Sequence, residues 1–249
     1  SGEELGLLGS NHYVESYAKM ITGKPDSQLG GMFAAYLNMD MIGRFHKTLV
    51  MQGVGSSSWW PKEIEQRNAP IGLPITTQND AHLPTDSTAF YLRGIPTLSA
   101  FTGAHEDYHM PSDTADKIDY DTSAKITKLM GLIARSICLS TDAPDYVKME
   151  APKNDGTRTG LRAYLGTIPD YAQGDIQGVR LTGVSSVGPA AKAGVQGGDV
   201  IIKLGGKEIT NIYDYTYILG DLKIGEETSI TVQRDGKEIE MKLTPQSRD

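Results

Sequence analysis

The sequence predicts an α/β layered domain followed by a small β-rich domain. Three observations carry that prediction. Up to about residue 141, apolar runs alternate with helix-spaced stretches, the texture of strands and helices packed in layers. A turn-rich stretch of Pro, Gly, Asn and Asp follows, over about 142–159. Beyond it, apolar segments are short and separated by glycine-rich turns, as in a compact β domain.

Each element has its own signal. Ser10 is placed to cap a helix reaching about Ile21. Phe33-Ala34-Ala35-Tyr36-Leu37-Asn38-Met39 is almost unbroken in apolar character, which predicts a strand buried on both faces. Thr48 to Gln52 and Ile95 to Phe101 are further strands, and Asp86 is placed to cap a helix stopping at Gly94. From Thr122 onward, Ile126, Leu129, Met130, Ile133 and Ile137 recur at helical spacing, a stripe that serves core contact. Cys138 sits in that helical stripe and is expected to be buried. In the second half, strands are expected at 179–181, 200–202, 229–232 and 239–243, with Asp235-Gly236 turning the last hairpin. Short helices are expected over Pro189 to Ala193, ended by Gly194, and from about Asn211 to Leu219.

Composition narrows the function classes. The chain's 249 residues suffice for one large domain or two smaller ones. With 39% hydrophobic and 22% charged residues, it has globular proportions rather than those of a disordered chain. Mean hydropathy is -0.32, and no run approaches the roughly 20 apolar residues of a membrane helix. A net charge of -7 without a Lys/Arg cluster argues against a nucleic-acid partner. One cysteine leaves no intrachain disulfide. Residues 1–150 hold 18 acids against 12 bases and residues 151–249 hold 13 against 12, so the acidity sits where a cation site would be welcome.

Three motifs in the first half can carry chemistry. Glu3-Glu4 precedes the small apolar segment Leu5-Gly6-Leu7-Leu8-Gly9. In an extended segment, neighbouring side chains face opposite ways, so one carboxylate could hold a metal while the other faces water. A solvated charge pair is the plainer alternative. Asp40 ends an apolar strand, where α/β sheets place their ligands; capping the next loop is its alternative role. His105-Glu106-Asp107-Tyr108-His109 sets imidazoles beside carboxylates, a combination suited to zinc or to an exposed polar loop. Pro111 argues against a helix presenting both histidines together.

The order of these motifs resembles the co-catalytic zinc aminopeptidases, the bacterial leucyl aminopeptidases related to glutaminyl cyclases and glutamate carboxypeptidases. The resemblance covers 1 to about 141. It rests on Ser1 through Ser10, Leu37-Asn38-Met39-Asp40-Met41-Ile42-Gly43, Asp86 through Phe90 with Gly94-Ile95-Pro96, and Tyr108-His109-Met110-Pro111-Ser112-Asp113-Thr114. It implies a three-layer α/β/α zinc-peptidase domain, incomplete at its N-terminal side. It also implies Glu3 as the general base activating a zinc-bound water. Glu4 and His109 would ligate one zinc and Asp40 the other; His105, His12, His46 and His82 match no ligand position. The family pattern has further ligands upstream of Glu3-Glu4, so the chain reads as a fragment, expected to be inactive by itself and to bind zinc weakly.

The second half carries Pro189-Ala190-Ala191-Lys192-Ala193-Gly194, then Gly197-Gly198-Asp199-Val200-Ile201. This signature resembles the PDZ domains attached to bacterial proteases, over about 159–245. By that resemblance, the loop Tyr164-Leu165-Gly166-Thr167 accepts a peptide or protein C-terminus, with Tyr215 and Leu219 on the opposite wall. The resulting domain plan is 1–141 peptidase, 142–158 linker and 159–249 PDZ. Peptidases with this attachment are usually exported, which implies a secreted or periplasmic location. Two other functions stay open on the residues alone: a peptidase-like scaffold defined by its PDZ domain, and glutaminyl cyclase chemistry on the same zinc shell.

Overall fold

The computed structural model describes residues 2–3, 7–83, 85–105, 107–108, 110–149, 163–170 and 176–247. They form two compact units, centred on 7–103 with 113–149 and on 163–247.

The first unit mixes helices with a four-stranded sheet. Its helices are α1 (Leu8–Thr22), α2 (Trp60–Asn68), α3 (Ser87–Tyr91) and α4 (Tyr120–Leu139), and its strands β1 (Tyr36–Asp40), β2 (Leu49–Gln52), β3 (Ile75–Gln78) and β4 (Thr97–Phe101). The strand order is β1-β4-β2-β3. β1 runs parallel to β4 and β2 parallel to β3, whereas β2 and β4 are antiparallel. The core joins Leu49, Met51, Leu98 and Ala100 of the central strands to Trp60 and Ile64 of α2 and to Ile126, Leu129, Met130 and Ile133 of α4. The α4 stripe therefore packs as its spacing predicts. The Asp119 carboxylate accepts the Thr122 N–H at 3.0 Å and caps this helix.

Several local expectations are corrected. β1 starts at Tyr36, is half-buried and exposes Met39. It is therefore not covered on both faces, and among the described residues β4 is its single strand neighbour. Ser10 is not the N-cap of α1: the helix begins at Leu8, and the Ser10 hydroxyl donates back to the Leu7 carbonyl. α3 ends at Tyr91, short of Gly94. Cys138 is exposed, because it falls one residue beyond the Ile126-to-Ile137 stripe and turns off the core face. α2 and β3 were not anticipated. α2 has few apolar residues, and its clearest signal is Pro61 in the first turn.

Residues 145–149, inside the stretch read as a linker, are tied to the first unit. Asp145 accepts from the hydroxyls of Ser57 and Ser58 at 2.7 and 2.9 Å. Those bonds, Ser57's foremost, hold its carboxyl below the ordinary value. The Val147 N–H donates to Ser56, and the Met149 N–H to the Tyr91 hydroxyl.

The second unit is a small β domain. Its strands are β5 (Ala163–Tyr164), β6 (Thr167–Pro169), β7 (Val179–Val184), β8 (Val200–Leu204), β9 (Lys207–Glu208), β10 (Thr228–Arg234), β11 (Lys237–Leu243) and β12 (Gln246–Ser247), and its helices α5 (Pro189–Ala193) and α6 (Ile212–Asp221). The main sheet runs β11-β10-β8-β7-β6, β9 pairs with β8, and β12 pairs with β5. Asp235 and Gly236 both take positive φ, 50° and 75°, as the predicted two-residue hairpin turn requires. Asp199, the residue before β8, is buried and meets Arg234 through two hydrogen bonds of 2.6 and 2.7 Å. It also accepts the Gln196 N–H at 2.9 Å.

Candidate functional site

Asp40 is the last residue of β1, at the carboxyl end of a sheet strand, where this class of fold presents its reactive side chains. The chain turns sharply behind it. Met41 has φ 51°, a left-handed conformation costing a non-glycine residue about 1–2 kcal/mol. The Thr102 hydroxyl donates to the Met41 carbonyl and ties this turn to the segment leaving β4. Backbone strain of this kind collects at functional sites.

Glu3 lies just ahead of α1. Its carbonyl accepts the Leu7 N–H at 2.9 Å, and Leu7 is itself left-handed, with φ 59°. Among the described residues, two of the three non-glycine residues with positive φ therefore lie near predicted site residues. The Glu3 charge bears on Tyr36, the first residue of β1. Burial holds the Tyr36 hydroxyl above its ordinary pKa, and the charges of Asp86 and Glu3 add to that effect. Tyr36 stacks on Phe90 of α3 with ring centroids 4.1 Å apart. Glu4 and His109, the other predicted members of the centre, lie outside the described residues.

Asp86 is a residue that sequence reasoning undervalued. It precedes α3 but makes no capping bond through its carboxylate. Its Oδ1 and the hydroxyls of Thr85 and Ser87 are buried without hydrogen-bond partners among the described residues. Each such atom costs about 1–3 kcal/mol, and native proteins keep few of them. The available signal was three consecutive polar residues opening a helix that packs into a core.

The loop after β4 also carries two acids that serve protein partners: Asp107 accepts from the Ser112 hydroxyl at 2.7 Å, and Asp113 from Arg44 at 3.0 Å.

In the second unit, Tyr164-Leu165-Gly166-Thr167 links β5 to β6. The Leu165 carbonyl accepts the Ala190 N–H at 2.8 Å, and the Gly166 carbonyl accepts the Ser185 N–H at 2.7 Å. In a trans peptide the N–H points opposite the carbonyl. The Gly166 N–H therefore turns away from Ala190 of α5, and the Thr167 N–H away from Ser185. Gly166 has φ 77°, and a Cβ there would stand 2.9 Å from the Gly188 Cα, so only glycine fits. Thr167 and Tyr215 share a hydroxyl–hydroxyl hydrogen bond that joins β6 to α6. A groove beside them is lined by Leu165, Ile168, Ile212, Tyr215 and Leu219. Tyr215 and Leu219 are themselves buried in the domain core, so they form its base, not its rim.

The profile described as peptidase family M28 matches residues 1–134, more than half of the 249-residue chain. The PDZ domain profile matches residues 148–244. Among curated proteins, the serine protease Do-like HtrA of Lactobacillus helveticus is 39% identical over 66 residues, covering 26% of this chain and 16% of that protein. A probable periplasmic serine endoprotease DegP-like of Ectopseudomonas mendocina is 36% identical over 104 residues, or 38% of this chain and 22% of that protein. Serine endoprotease DegS of Haemophilus influenzae is 33% identical over 81 residues, or 32% and 24%. The match thus spans less than a quarter of each of these relatives, and the likeness falls on the PDZ region alone. Among solved structures, the HtrA-type protease AlgW with decapeptide shares 25% identity over 35% of this chain and 30% of that one, with a TM-score of 0.33. Since one profile takes up its first half and the other most of the remainder, the chain belongs to peptidase family M28 and carries a PDZ domain behind the peptidase segment.

Proposed function

We propose that the protein is an exported zinc-dependent aminopeptidase whose PDZ domain binds peptide or protein C-termini. The observation that carries the peptidase reading is Asp40, a carboxylate at the carboxyl end of β1 behind a strained turn, inside a segment of the M28 family. Oxygen donors of this kind suit zinc. Asp40 would hold one ion and Glu4 with His109 the other. Bound zinc would supply Lewis acidity and lower the pKa of water from about 15.7 to about 7. Glu3 would accept the proton of the attacking water and return it to the leaving amine, a role typically worth about 10² to 10⁴ in rate. Export is supported by the relatives described as periplasmic, and no helix among the described residues is long and apolar enough to cross a membrane.

The domain plan 1–141, 142–158 and 159–249 is part of this reading. So is the assignment of Tyr164 through Thr167 to the C-terminal carboxylate and of Tyr215 and Leu219 to the terminal side chain. The adjacent Gly166 and Thr167 N–H groups support it, since backbone donors so arranged suit a carboxylate.

In the intact protein, Glu3→Gln is expected to abolish release of chromogenic amines from aminoacyl substrates while metal analysis finds zinc content unchanged. Full activity in that variant removes Glu3 from the mechanism. Cyclisation of an N-terminal Gln peptide, without amine release from aminoacyl substrates, replaces the aminopeptidase reading with glutaminyl cyclase chemistry.

A further inference from the structure

The strand beside the carboxylate loop carries a proline, and its orientation decides what the groove can hold. β6 consists of Thr167, Ile168 and Pro169. Among the described residues it pairs with a single strand, β7. The bonds along that pairing fix which residues face which way. The Gly166 carbonyl accepts the Ser185 N–H, and the Asp170 N–H donates to the Arg180 carbonyl at 2.8 Å. Both point toward β7. Along a strand, the N–H and carbonyl of one residue share a side and those of the next residue take the other. Within β6, Ile168 therefore addresses β7, as does Asp170 just beyond it, and Thr167 and Pro169 address the opposite edge; Gly166, outside the strand with φ 77°, turns only its carbonyl toward Ser185. The register shift between Ile168 and Pro169 leaves this alternation intact, since the extra residue, Thr182, lies on β7.

An added antiparallel strand would meet this edge as a short and uneven ladder. Thr167 presents both a donor and an acceptor. Pro169, the next residue on that side, presents only its carbonyl, because proline has no N–H. A peptide residue opposite Pro169 can donate one hydrogen bond and receive none.

We infer that this groove captures free C-termini through their last two or three residues and does not accept an internal extended segment. The inference rests on the carboxylate-capture reading given above. A free C-terminus draws on the N–H groups of Gly166 and Thr167 and on the ladder at Thr167, all before Pro169 is reached. An internal strand has no terminal carboxylate and depends on the continuous pairing that Pro169 interrupts. The partner chemistry is thus a short peptide end with a free carboxylate and an apolar last residue, seated against Leu165, Tyr215 and Leu219.

The test is a length series on the full-length protein. Fluorescence anisotropy would follow labelled peptides of two to eight residues with one shared apolar C-terminal residue, together with a C-terminal amide of the longest. Affinity is expected to rise to the third residue and then stay within about twofold, with the amide failing to bind. In Pro169→Ala the restored N–H should tighten peptides of three residues or more, by roughly three- to tenfold for one net hydrogen bond. Circular dichroism would check that the variant is folded, and the series on the unaltered protein decides the matter without it. Steady tightening of the unaltered protein out to eight residues overturns the present inference while leaving carboxylate capture in place. Equal binding of acid and amide, or no binding by any free-carboxylate peptide, overturns carboxylate capture and this inference with it.

Discussion

The two units handle buried polarity in opposite ways. In the second, Asp199 is buried yet receives three hydrogen bonds, two from Arg234 and one from the Gln196 N–H. Among its described residues the one non-glycine residue of positive φ, Asp235, sits in a hairpin turn that requires that conformation. In the first unit, Thr85, Asp86, Ser87 and Thr97 bury side-chain oxygens without hydrogen-bond partners among the described residues, and Met41 and Leu7 hold left-handed backbone near candidate site residues. Polar groups serve as scaffold in the PDZ unit. In the peptidase unit some are held unsatisfied around β1 and α3, as in sites whose groups act on a ligand. The first unit also has a satisfied polar hub for contrast. The Ser56 hydroxyl faces the Gly53 and Thr97 carbonyls at 2.6 and 2.7 Å and accepts from the Thr97 N–H and the Trp60 indole at 3.0 Å.

The comparison can be broken by mutation, and the protein offers a built-in reporter. Both of its tryptophans, Trp59 and Trp60, lie in the first unit, so indole fluorescence follows that unit alone. The largest effect is expected from Trp60→Ala, which empties a fully buried site and should cost the first unit about 3–5 kcal/mol. The PDZ transition, read from far-ultraviolet dichroism, should stay put; a joint shift would show that the units do not unfold separately. Next comes Asp199→Ala, which strands Arg234 and the Gln196 N–H and should cost the PDZ unit about 2–3 kcal/mol in urea denaturation. Ser56→Ala is third, at about 2 kcal/mol, since it leaves a buried N–H and an indole donor unpaired. Asp86→Ala is the sharpest contrast. It removes a carboxylate oxygen without a partner, so stability should hold or rise by about 1 kcal/mol. The Tyr36 pKa should fall in a spectrophotometric titration, because one of the charges raising it is gone. A loss of stability comparable to that of Ser56→Ala would end the distinction.

The smallest effect is a pH dependence. Burial pushes the Asp199 carboxyl upward, but the Arg234 hydrogen bonds, the Gln196 N–H and the Arg234 charge outweigh it and leave the group below its ordinary value. A carboxyl lowered in the folded state contributes stability that is complete above the unfolded value, about pH 4. That contribution is lost as pH falls through the folded value. The PDZ unit should therefore weaken only below about pH 4, and Asp199→Asn should flatten that acid limb.

Much of this was legible in residues close in sequence. The α4 stripe from Ile126 to Ile133, the Asp235-Gly236 turn and the Pro189-to-Gly194 helix all arise from spacing and from turn chemistry that acts over a few residues. The same local reasoning misplaced the start of α1 and the burial of Cys138, where one residue of phase decides which way a side chain faces.

The sequence by itself determined which faces are apolar, where the backbone must turn, and which motifs stand in the order of family M28 and of a PDZ domain. The tertiary structure alone decided who meets whom. It made β1 an edge of the described sheet, set Glu3 and Asp86 on Tyr36 and brought Asp199 to Arg234 across 35 residues. It also turned the missing N–H of Pro169 toward the edge of β6 that no strand among the described residues pairs with. Periodicity records that a face seeks cover, and a distant partner is selected only when the whole molecule packs.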